Sequence, residues 1–240
     1  MLIKELIKRI VKQEKYNSAT YINFLRKRGI AIGYNCDIFS PVTTYIDCQN
    51  PHMIKIGNNV KIAEGSKLLT HDFSWCVSSN IDGLITGSVG EIEIGNNVFI
   101  GMNSIITSNV KIGNNVIIGA GSIVTKNCED GFVYAGVPAK KLMTIQEYHE
   151  RRIAIQKEAA IKTACQYIKR FGHNPPKEVL REFIYLFEGG DSYKNDQVVE
   201  QILKDSGHYE KCLNKLKNNK PMFENYEKFI EYCNLKNSED

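Results

Sequence analysis

The sequence of 240 residues has no apolar segment long enough to cross a membrane. A spanning helix needs about 20 mainly apolar residues, and polar or charged side chains interrupt every apolar stretch in this chain. The first 31 residues are also too rich in lysine and arginine for a secretory signal. We therefore expect no membrane span.

Cysteine pairs with the spacing of a metal site are missing as well. The cysteines are odd in number, seven, and they are scattered along the chain. Reduced thiols in a cytoplasmic protein are the simplest interpretation, and no metal site is predicted. The positions are Cys36, Cys48, Cys76, Cys128, Cys165, Cys212 and Cys233.

The chain also has no broad excess of one charge. Its formal net charge is +4, and the basic excess lies in residues 1–31, so the footprint of a nucleic-acid-binding protein is missing. In that segment a basic amphipathic helix is predicted, which either packs on the following domain or lies on a membrane. Its apolar face consists of Leu2, Ile3, Leu6, Ile7, Ile10 and Val11.

A period of six residues runs through the middle of the chain. This spacing fits neither an α-helix nor simple strand alternation. It predicts short strands separated by turns, with one aliphatic side chain per repeat pointing inward and stacking on its equivalent in the next coil. The aliphatic positions are Ile32, Ile38, Ile56, Ile62, Leu68, Ile94, Ile100, Ile106, Ile112, Ile118 and Val124.

The other positions of the repeat suit turns and a narrow interior. Glycine often follows the aliphatic residue, and Asn-Asn pairs come next at 58–59, 96–97 and 114–115. Because both residue types tolerate positive φ angles, we expect the corners there. Such repeats bury a face only by stacking. The fifth position is small or β-branched: Val60, Ser66, Val98, Ser104, Val110, Val116, Ser122 and Cys128.

These repeats resemble the hexapeptide-repeat acyltransferases. The resemblance implies a left-handed parallel β-helix in which three hexads form one triangular coil, with roughly four to five coils between 32 and 137. The handedness rests on the resemblance alone, because the general rule for parallel connections favours the opposite hand. We predict a mainly β fold with an N-terminal helical segment (1–31), the β-helix (32–143) and a C-terminal α-helical domain (144–240).

The repeat is interrupted between Leu68 and Ile94, whose separation is not a multiple of six. A loop of about residues 71–91 is inserted here, and long loops on a rigid scaffold are often functional. The stretch Thr70–Phe73 resembles the catalytic site of the sugar and xenobiotic O-acetyltransferase branch. The resemblance implies that His71 is the catalytic base, although by itself His71 would be taken as an exposed loop histidine.

A histidine suits acetyl transfer to a hydroxyl, because neutral imidazole accepts the proton that the attacking hydroxyl loses. The next residue, Asp72, either orients the ring or caps a turn. Two aromatic residues are candidates for binding the acceptor. Trp75 either stacks on a sugar or anchors the loop. Phe99 either forms a wall of the acceptor site or is an outward residue covered by another subunit.

Two further segments, Ile118–Lys126 and Ala135–Lys140, resemble the acetyl-CoA-binding end of the sugar O-acetyltransferases. In that family the pantetheine arm runs along the edge of the β-helix, between two subunits of a trimer. The alternative is that the small residues only pack and the lysines are solvated. The resemblance implies CoA contacts from Gly101, Met102, Gly119, Ala120, Thr125, Lys126 and Lys140, with Met102 contributing only its backbone.

Beyond about Thr144, helical spacing replaces the period of six. One helix is predicted over Ile145–Arg170, another starts at 174–176 and stops at Gly189-Gly190, and two or three more follow, the last opening near Pro221. This appendage either binds the acceptor or a partner, or stabilises the oligomer.

Together these features predict an acetyl-CoA-dependent O-acetyltransferase that modifies a carbohydrate hydroxyl by direct transfer. The expected acceptor is a saccharide of a surface polysaccharide or its precursor, and the expected assembly is a homotrimer. A xenobiotic or amino-sugar N-acetyltransferase of the same fold is the alternative within the enzyme class. A non-catalytic trimeric scaffold is the alternative outside it.

Overall fold

The computed structural model describes residues 13–191 and 193–239. These residues form two compact units, one ending at Tyr148 and the other beginning at His149. The apolar face predicted over Leu2–Val11 lies outside the described residues. The first described helix is α1 (Ser18–Arg28), which follows a short 3₁₀ turn (Gln13–Lys15).

Helix α1 is closed at both ends by local hydrogen bonds. The Asn17 side chain accepts from the Thr20 backbone N–H, and the Thr20 hydroxyl in turn accepts from the Asn17 N–H, forming a capping box. At the other end Gly29 adopts φ 106°, a left-handed conformation that glycine takes at little cost. The helix buries Tyr21 and Leu25 against the repeat region.

The repeat region winds through three sheets in turn. Face 1 contains β1 (Ala31–Ile32), β4 (Ile54–Ile56), β7 (Ile92–Ile94) and β10 (Val110–Ile112). Face 2 contains β2 (Asp37–Ile38), β5 (Val60–Ile62), β8 (Val98–Ile100), β11 (Val116–Ile118), β13 (Phe132–Ala135) and β14 (Lys140–Thr144). Face 3 contains β3 (Tyr45–Ile46), β6 (Lys67–Leu68), β9 (Ile105–Ile106) and β12 (Ile123–Val124).

Every pairing in these sheets is parallel except β13 with β14, which is antiparallel. Successive passes around the three faces form four complete coils. A partial fifth coil consists of the Cys128 bridge to Ile112 and strand β13. The short strands separated by turns that the period of six predicts are present, and so is the three-sided coil that the resemblance implies, with parallel strands on each face.

Stacked aliphatic ladders form the core of this unit. Ile56, Ile94 and Ile112 occupy the same register on face 1, and the other faces carry equivalent ladders. All the repeated aliphatic residues except the partly buried Ile32 are at most 3% exposed. Burying each such side chain contributes about 1.5–3 kcal/mol, so the ladder holds the coils in register.

Asparagine and glycine have different roles at the corners. Asn59, Asn97 and Asn115 adopt the positive φ angles, between 54° and 57°, at the corner between faces 1 and 2. The corners lie at the Gly-Asn-Asn positions as expected, but the glycines of this corner do not adopt positive φ angles. A Cβ on Gly57 would lie 2.5 Å from the Gly95 carbonyl oxygen, so glycine is required by the close approach of the next coil.

The second unit is helical and has its own core. It contains most of α3 (Ile145–Phe171), a 3₁₀ helix (Lys177–Leu186), α4 (Gln197–Asp205), α5 (Tyr209–Lys217) and α6 (Tyr226–Glu239). Helix α2 is a short helix of the inserted loop. Phe187 and Phe229 are buried at its centre, with ring centroids 5.4 Å apart. The predicted second helix is present as a 3₁₀ helix, and the last helix begins at Tyr226.

Candidate active site

The inserted loop leaves and rejoins the coil at the corner between faces 3 and 1. Its root is closed by a hydrogen bond of 2.8 Å from the Gly90 N–H to the Thr70 carbonyl. An antiparallel bridge joins His71 to Val89 immediately outside it. This closure places His71 at a fixed point on a rigid corner, at the height of the second coil.

The imidazole of His71 contacts a buried carboxylate from the coil below. Its Nδ1 lies 2.5 Å from an oxygen of Asp47, which directly follows strand β3. The Asp47 side chain is 1% exposed and that of His71 is 23% exposed. Parallel pairing of Ile46 with Leu68 brings the two residues to adjacent levels of one corner.

The Asp47 carboxylate is held by several donors. It accepts hydrogen bonds from the Gln49 N–H at 2.9 Å, from the Thr70 N–H at 3.2 Å and from the Thr70 hydroxyl. Burial by itself raises the pKa of a carboxyl, but the hydrogen bonds from Thr70, Gln49 and His71 outweigh it, and the pKa of Asp47 falls below its usual value. Asp47 is therefore an anion at neutral pH.

This anion determines the tautomer of the histidine. An ionised carboxylate only accepts hydrogen bonds, so neutral His71 must carry its proton on Nδ1. The lone pair then resides on Nε2, which has no hydrogen-bond partner among the described residues. The pair is thus arranged to accept a proton at Nε2 and to stabilise the resulting imidazolium.

The structure places Asp72 away from this pair. Its carboxylate accepts from the Ser74 N–H at 2.8 Å and from the Ser74 hydroxyl at 2.6 Å, which closes a turn. Those two hydrogen bonds lower the pKa of the exposed Asp72 carboxyl. Of the two roles considered for Asp72, the geometry shows the turn cap, and the carboxylate on the ring is that of Asp47 instead.

Asp47 was missed in the sequence because it breaks the period. The turn between β2 and β3 is longer than those of the later coils, so Ile46 falls out of phase with Ile38 by two residues. An isolated aliphatic residue followed by aspartate, one coil before the insertion, was the available signal. This signal can be recognised only if turns of different lengths are allowed between the repeats.

Trp75 begins the short helix α2 (Trp75–Ser78) of the inserted loop. Its ring is partly buried and contacts the ring of Phe73, with centroids 4.5 Å apart. Phe99 lies in the middle of β8 on the outer surface of face 2 and is 43% exposed. Its register partners are Lys61 and Ile117. Their acceptor roles stay predictions.

The residues predicted to contact CoA lie at two different corners. Gly101, Met102, Gly119 and Ala120 follow strands β8 and β11 and turn the corner between faces 2 and 3. Thr125 and Lys126 follow β12 at the corner between faces 3 and 1, the corner of His71, and Lys140 begins β14.

Several of these positions fit an extended, phosphorylated ligand. Met102 is 49% exposed, and Ala120, Thr125, Lys126 and Lys140 also lie at the surface. Neither Lys126 nor Lys140 makes an ion pair within the part of the chain that is described, which leaves both cations available to phosphate groups.

Two of the predicted CoA contacts have a packing reason for their small size. A Cβ on Gly101 would lie 2.5 Å from the Ala120 nitrogen, and one on Gly119 would lie 2.8 Å from the Ala135 Cβ. Coil stacking alone therefore requires glycine there. The neighbouring Lys141 is bonded to Glu129 at 2.6 Å and lies over the Phe132 ring.

No group of three or more His, Cys, Asp or Glu side chains within 13–191 and 193–239 is arranged to hold a metal ion. Among the same residues, none of the helices combines the length and apolar character needed to cross a bilayer. All seven cysteines are free thiols, and burial raises the pKa of Cys128 to about 11.

Comparison with known proteins finds similarity in sequence and in fold. Residues 91–126 match the family model described as bacterial transferase hexapeptide (six repeats). Protein CapG of Staphylococcus aureus is 36% identical over 180 residues, which cover 75% of this chain and 92% of that protein.

Two solved structures are also similar. A maltose O-acetyltransferase from Clostridium difficile is 24% identical, over 60% of this chain and 87% of its own, with a TM-score of 0.40. A galactoside acetyltransferase in complex with coenzyme A is 25% identical, over 61% of this chain and 83% of its own, with a TM-score of 0.40. With the hexapeptide match and the extent of the CapG similarity, the chain belongs to the hexapeptide-repeat acyltransferase superfamily of enzymes.

Proposed function

We propose that this protein is an acetyl-CoA-dependent O-acetyltransferase that modifies a carbohydrate hydroxyl, with His71 as general base. The acceptor that we favour is a saccharide of a surface polysaccharide or its precursor. The observation that carries the proposal is the contact between His71 and the buried Asp47 at the root of the inserted loop. Membership of the acyltransferase superfamily supports it.

The two residues have distinct roles in transfer. Acetyl-CoA, when bound, supplies the acetyl group as a thioester. His71 takes the proton of the acceptor hydroxyl at Nε2 as that oxygen attacks the carbonyl carbon, and the Asp47 carboxylate stabilises the imidazolium. His71 then returns the proton to the departing thiolate, so the C–O bond replaces the C–S bond without an acyl-enzyme.

We further propose that the site forms between subunits of a homotrimer. The residues predicted for CoA divide between two corners of the stacked coils, and one extended ligand reaches both sets more readily when two subunits bring different corners together. The left-handed sense of the β-helix belongs to the same proposal.

The cytoplasm is our proposed location. The support is the odd and scattered set of cysteines, which suits a reducing compartment better than a disulfide framework.

The proposal is tested by replacing His71→Ala and following acetyl transfer from acetyl-CoA across a panel of sugars, with products identified by mass. Turnover should fall at least about a hundredfold while acetyl-CoA affinity stays within about threefold, because general bases contribute roughly 10²–10⁴ in rate. His173→Ala, which removes an exposed histidine of the helical unit, is the control. Equal turnover in His71→Ala and wild type excludes His71 as the base.

A further inference from the structure

The corner between faces 2 and 3 carries a cavity that no step of the proposed reaction has used. It has a volume of about 520 Å³ and lies at the first and second coils, within the range of small-molecule sites. Its walls include Phe39, Val42 and Thr43 from the first coil, Glu64 from the second, and Lys15 from the segment before α1.

A local lengthening of the chain builds this cavity. The turn between β2 and β3 spans 39–44, six residues, whereas the equivalent turns of later coils span 63–66, 101–104 and 119–122, four residues each. The longer turn presents Phe39 and Val42 outward, at 48% and 50% exposure. The position of Phe39, directly after the strand, is occupied by a small residue in the later coils: Ala63, Gly101 and Gly119.

The chemistry of the lining suits a neutral sugar ring. The exposed Phe39 ring offers an apolar surface to the C–H face of a pyranose. Glu64 accepts from the Thr43 hydroxyl at 3.4 Å, so a carboxylate and a hydroxyl stand side by side as partners for sugar hydroxyls. Lys15 donates to the Thr44 carbonyl at 3.3 Å, and its charge balances that of Glu64.

The cavity also lies at the same level along the coil axis as Asp47 and His71. Asp47 and His71 belong to the first and second coils, which are the coils that form the cavity. Met102 and Ala120 continue the same corner at the third and fourth coils. In a trimer whose threefold axis runs along the coils, rotation preserves the level of each coil. A neighbouring subunit that docks its His71 corner against this one would then meet the cavity at the level of the imidazole, with the predicted CoA track beyond it.

We propose that this cavity, with Phe39 as platform and Glu64 and Thr43 as hydrogen-bonding groups, is the acceptor subsite for a neutral pyranoside. The inference rests on the proposed function, because it places the acceptor relative to His71 of a neighbouring copy. It names the residues that bind the sugar and assigns the acceptor a neutral ring.

The test measures binding and transfer separately. Binding of methyl glucopyranoside, methyl galactopyranoside and methyl N-acetylglucosaminide is followed by saturation-transfer NMR without acetyl-CoA. For the pyranoside that binds best, Phe39→Ala should weaken binding by about tenfold, as expected for loss of a stacked ring, while Phe39→Tyr retains it. The acceptor KM should rise in parallel, and the KM for acetyl-CoA should stay within about twofold.

Tyr34→Ala is the matched control, since Tyr34 is an exposed aromatic residue of the first coil at a different corner and should bind the sugar as the wild type does. Glu64→Gln, at an exposed position, gives a second measurement if Phe39→Ala fails to fold. The inference is overturned if no pyranoside binds the wild type, if Phe39→Ala and Glu64→Gln both bind like wild type, or if Tyr34→Ala weakens binding equally.

The outcomes also separate this inference from the proposed function. If pyranoside binding depends on Phe39 but the protein has no transferase activity, the sugar-binding cavity is supported and the proposed enzymatic function is rejected. If transfer requires His71 but is unchanged by substitution of Phe39 and Glu64, the proposed enzymatic function is supported and the acceptor subsite is rejected.

Discussion

At the residue scale, the buried carboxylate of Asp47 determines which nitrogen of His71 carries the proton. A histidine at the root of an exposed loop would exchange between tautomers and rotamers, and neither nitrogen would be defined as the base. Asp47 removes that freedom because it is 1% exposed, ionised and already bonded to Thr70 and Gln49. The histidine therefore meets a buried, hydrogen-bonded acceptor, and Nε2 is defined as the nitrogen available to the proposed base.

Replacing Asp47→Asn should separate positioning from binding. The amide can donate to Nδ1, which permits the tautomer with the proton on Nε2 and so blocks the base. We expect kcat to fall by about 10² or more with the KM for acetyl-CoA nearly unchanged. ¹⁵N NMR of the imidazole should show Nδ1–H in wild type and a changed tautomer ratio in the variant. An unchanged ratio together with unchanged kcat contradicts the positioning role.

The lowered pKa of Asp47 also predicts how stability depends on pH. A carboxyl with a folded pKa below its unfolded value stabilises the native state above the unfolded pKa of about 3.9, and that contribution is lost as pH falls through the folded pKa. The wild type should exceed Asp47→Asn in free energy of unfolding most at neutral pH, and the gap should narrow below about pH 4.

Urea unfolding of both proteins at pH 7 and pH 3 measures that gap. Asp72→Asn is the comparison, because the Asp72 carboxylate is exposed and bonded only to Ser74. A gap for Asp47→Asn that is constant with pH would show that the charge of this carboxyl contributes nothing to stability.

At the scale of elements, the corner between faces 1 and 2 requires asparagine and glycine for different reasons. Asn97 and Asn115 turn the chain at positive φ, and the Asn97 amide donates to the Asn115 side chain at 2.7 Å, so asparagine ladders run along the corner. Glycine is needed for space: a Cβ on Gly95 would lie 2.7 Å from the Gly113 carbonyl oxygen. At the corner between faces 2 and 3, glycine itself turns the chain, since Gly65 and Gly121 adopt φ angles of 74° and 68°.

The substitution Gly95→Ala tests the need for space. The added methyl group must push the neighbouring coil backbone aside, and we expect a loss of about 1–3 kcal/mol in the free energy of unfolding. Gly87→Ala is the matched control, because nothing lies within 4 Å of its Cβ position and its φ is not positive. It should change stability by less than about 0.5 kcal/mol. Equal effects in the two variants would contradict the packing explanation.

Period and side-chain size made the stacked core predictable, since an inward aliphatic residue every six positions has few other interpretations. The role of glycine was not predictable, because a single repeat does not show how closely its neighbour approaches. Asp47 was hidden for a related reason: the turn 39–44 is two residues longer than the later turns of this corner and shifts the phase of the repeat. The local sequence pattern predicts the regular coils, but it does not predict a turn of unusual length or the close approach of neighbouring coils.

At the scale of the whole molecule, a single chain carries its candidate functional residues on separate corners of the coil. His71 and Thr125 lie at the corner between faces 3 and 1, whereas Met102 and Ala120 lie at the corner between faces 2 and 3. Parallel stacking keeps each set in line along the coil axis, and face 3 lies between the two corners. In the proposed trimer, each site would take one corner from each of two neighbours.

That arrangement predicts complementation between inactive subunits. His71→Ala removes the base, and Ala120→Glu places a bulky negative charge at an exposed position of the proposed CoA track. Each variant should be inactive when assembled alone. When the two are denatured together and refolded in equal amounts, random trimers should recover about one quarter of wild-type activity, because a site needs an intact first corner from one subunit and an intact second corner from its neighbour.

Size-exclusion chromatography and circular dichroism before the assay establish that each preparation is folded and of equal assembly size. Recovery requires that the two corners act across an interface, since no single subunit in the mixture carries both intact. If both corners of one chain formed the site, every subunit of the mixture would be defective and the activity would stay at the level of the separate variants. Complementation thus distinguishes a shared site from one contained in each chain, whatever sugar is used as acceptor.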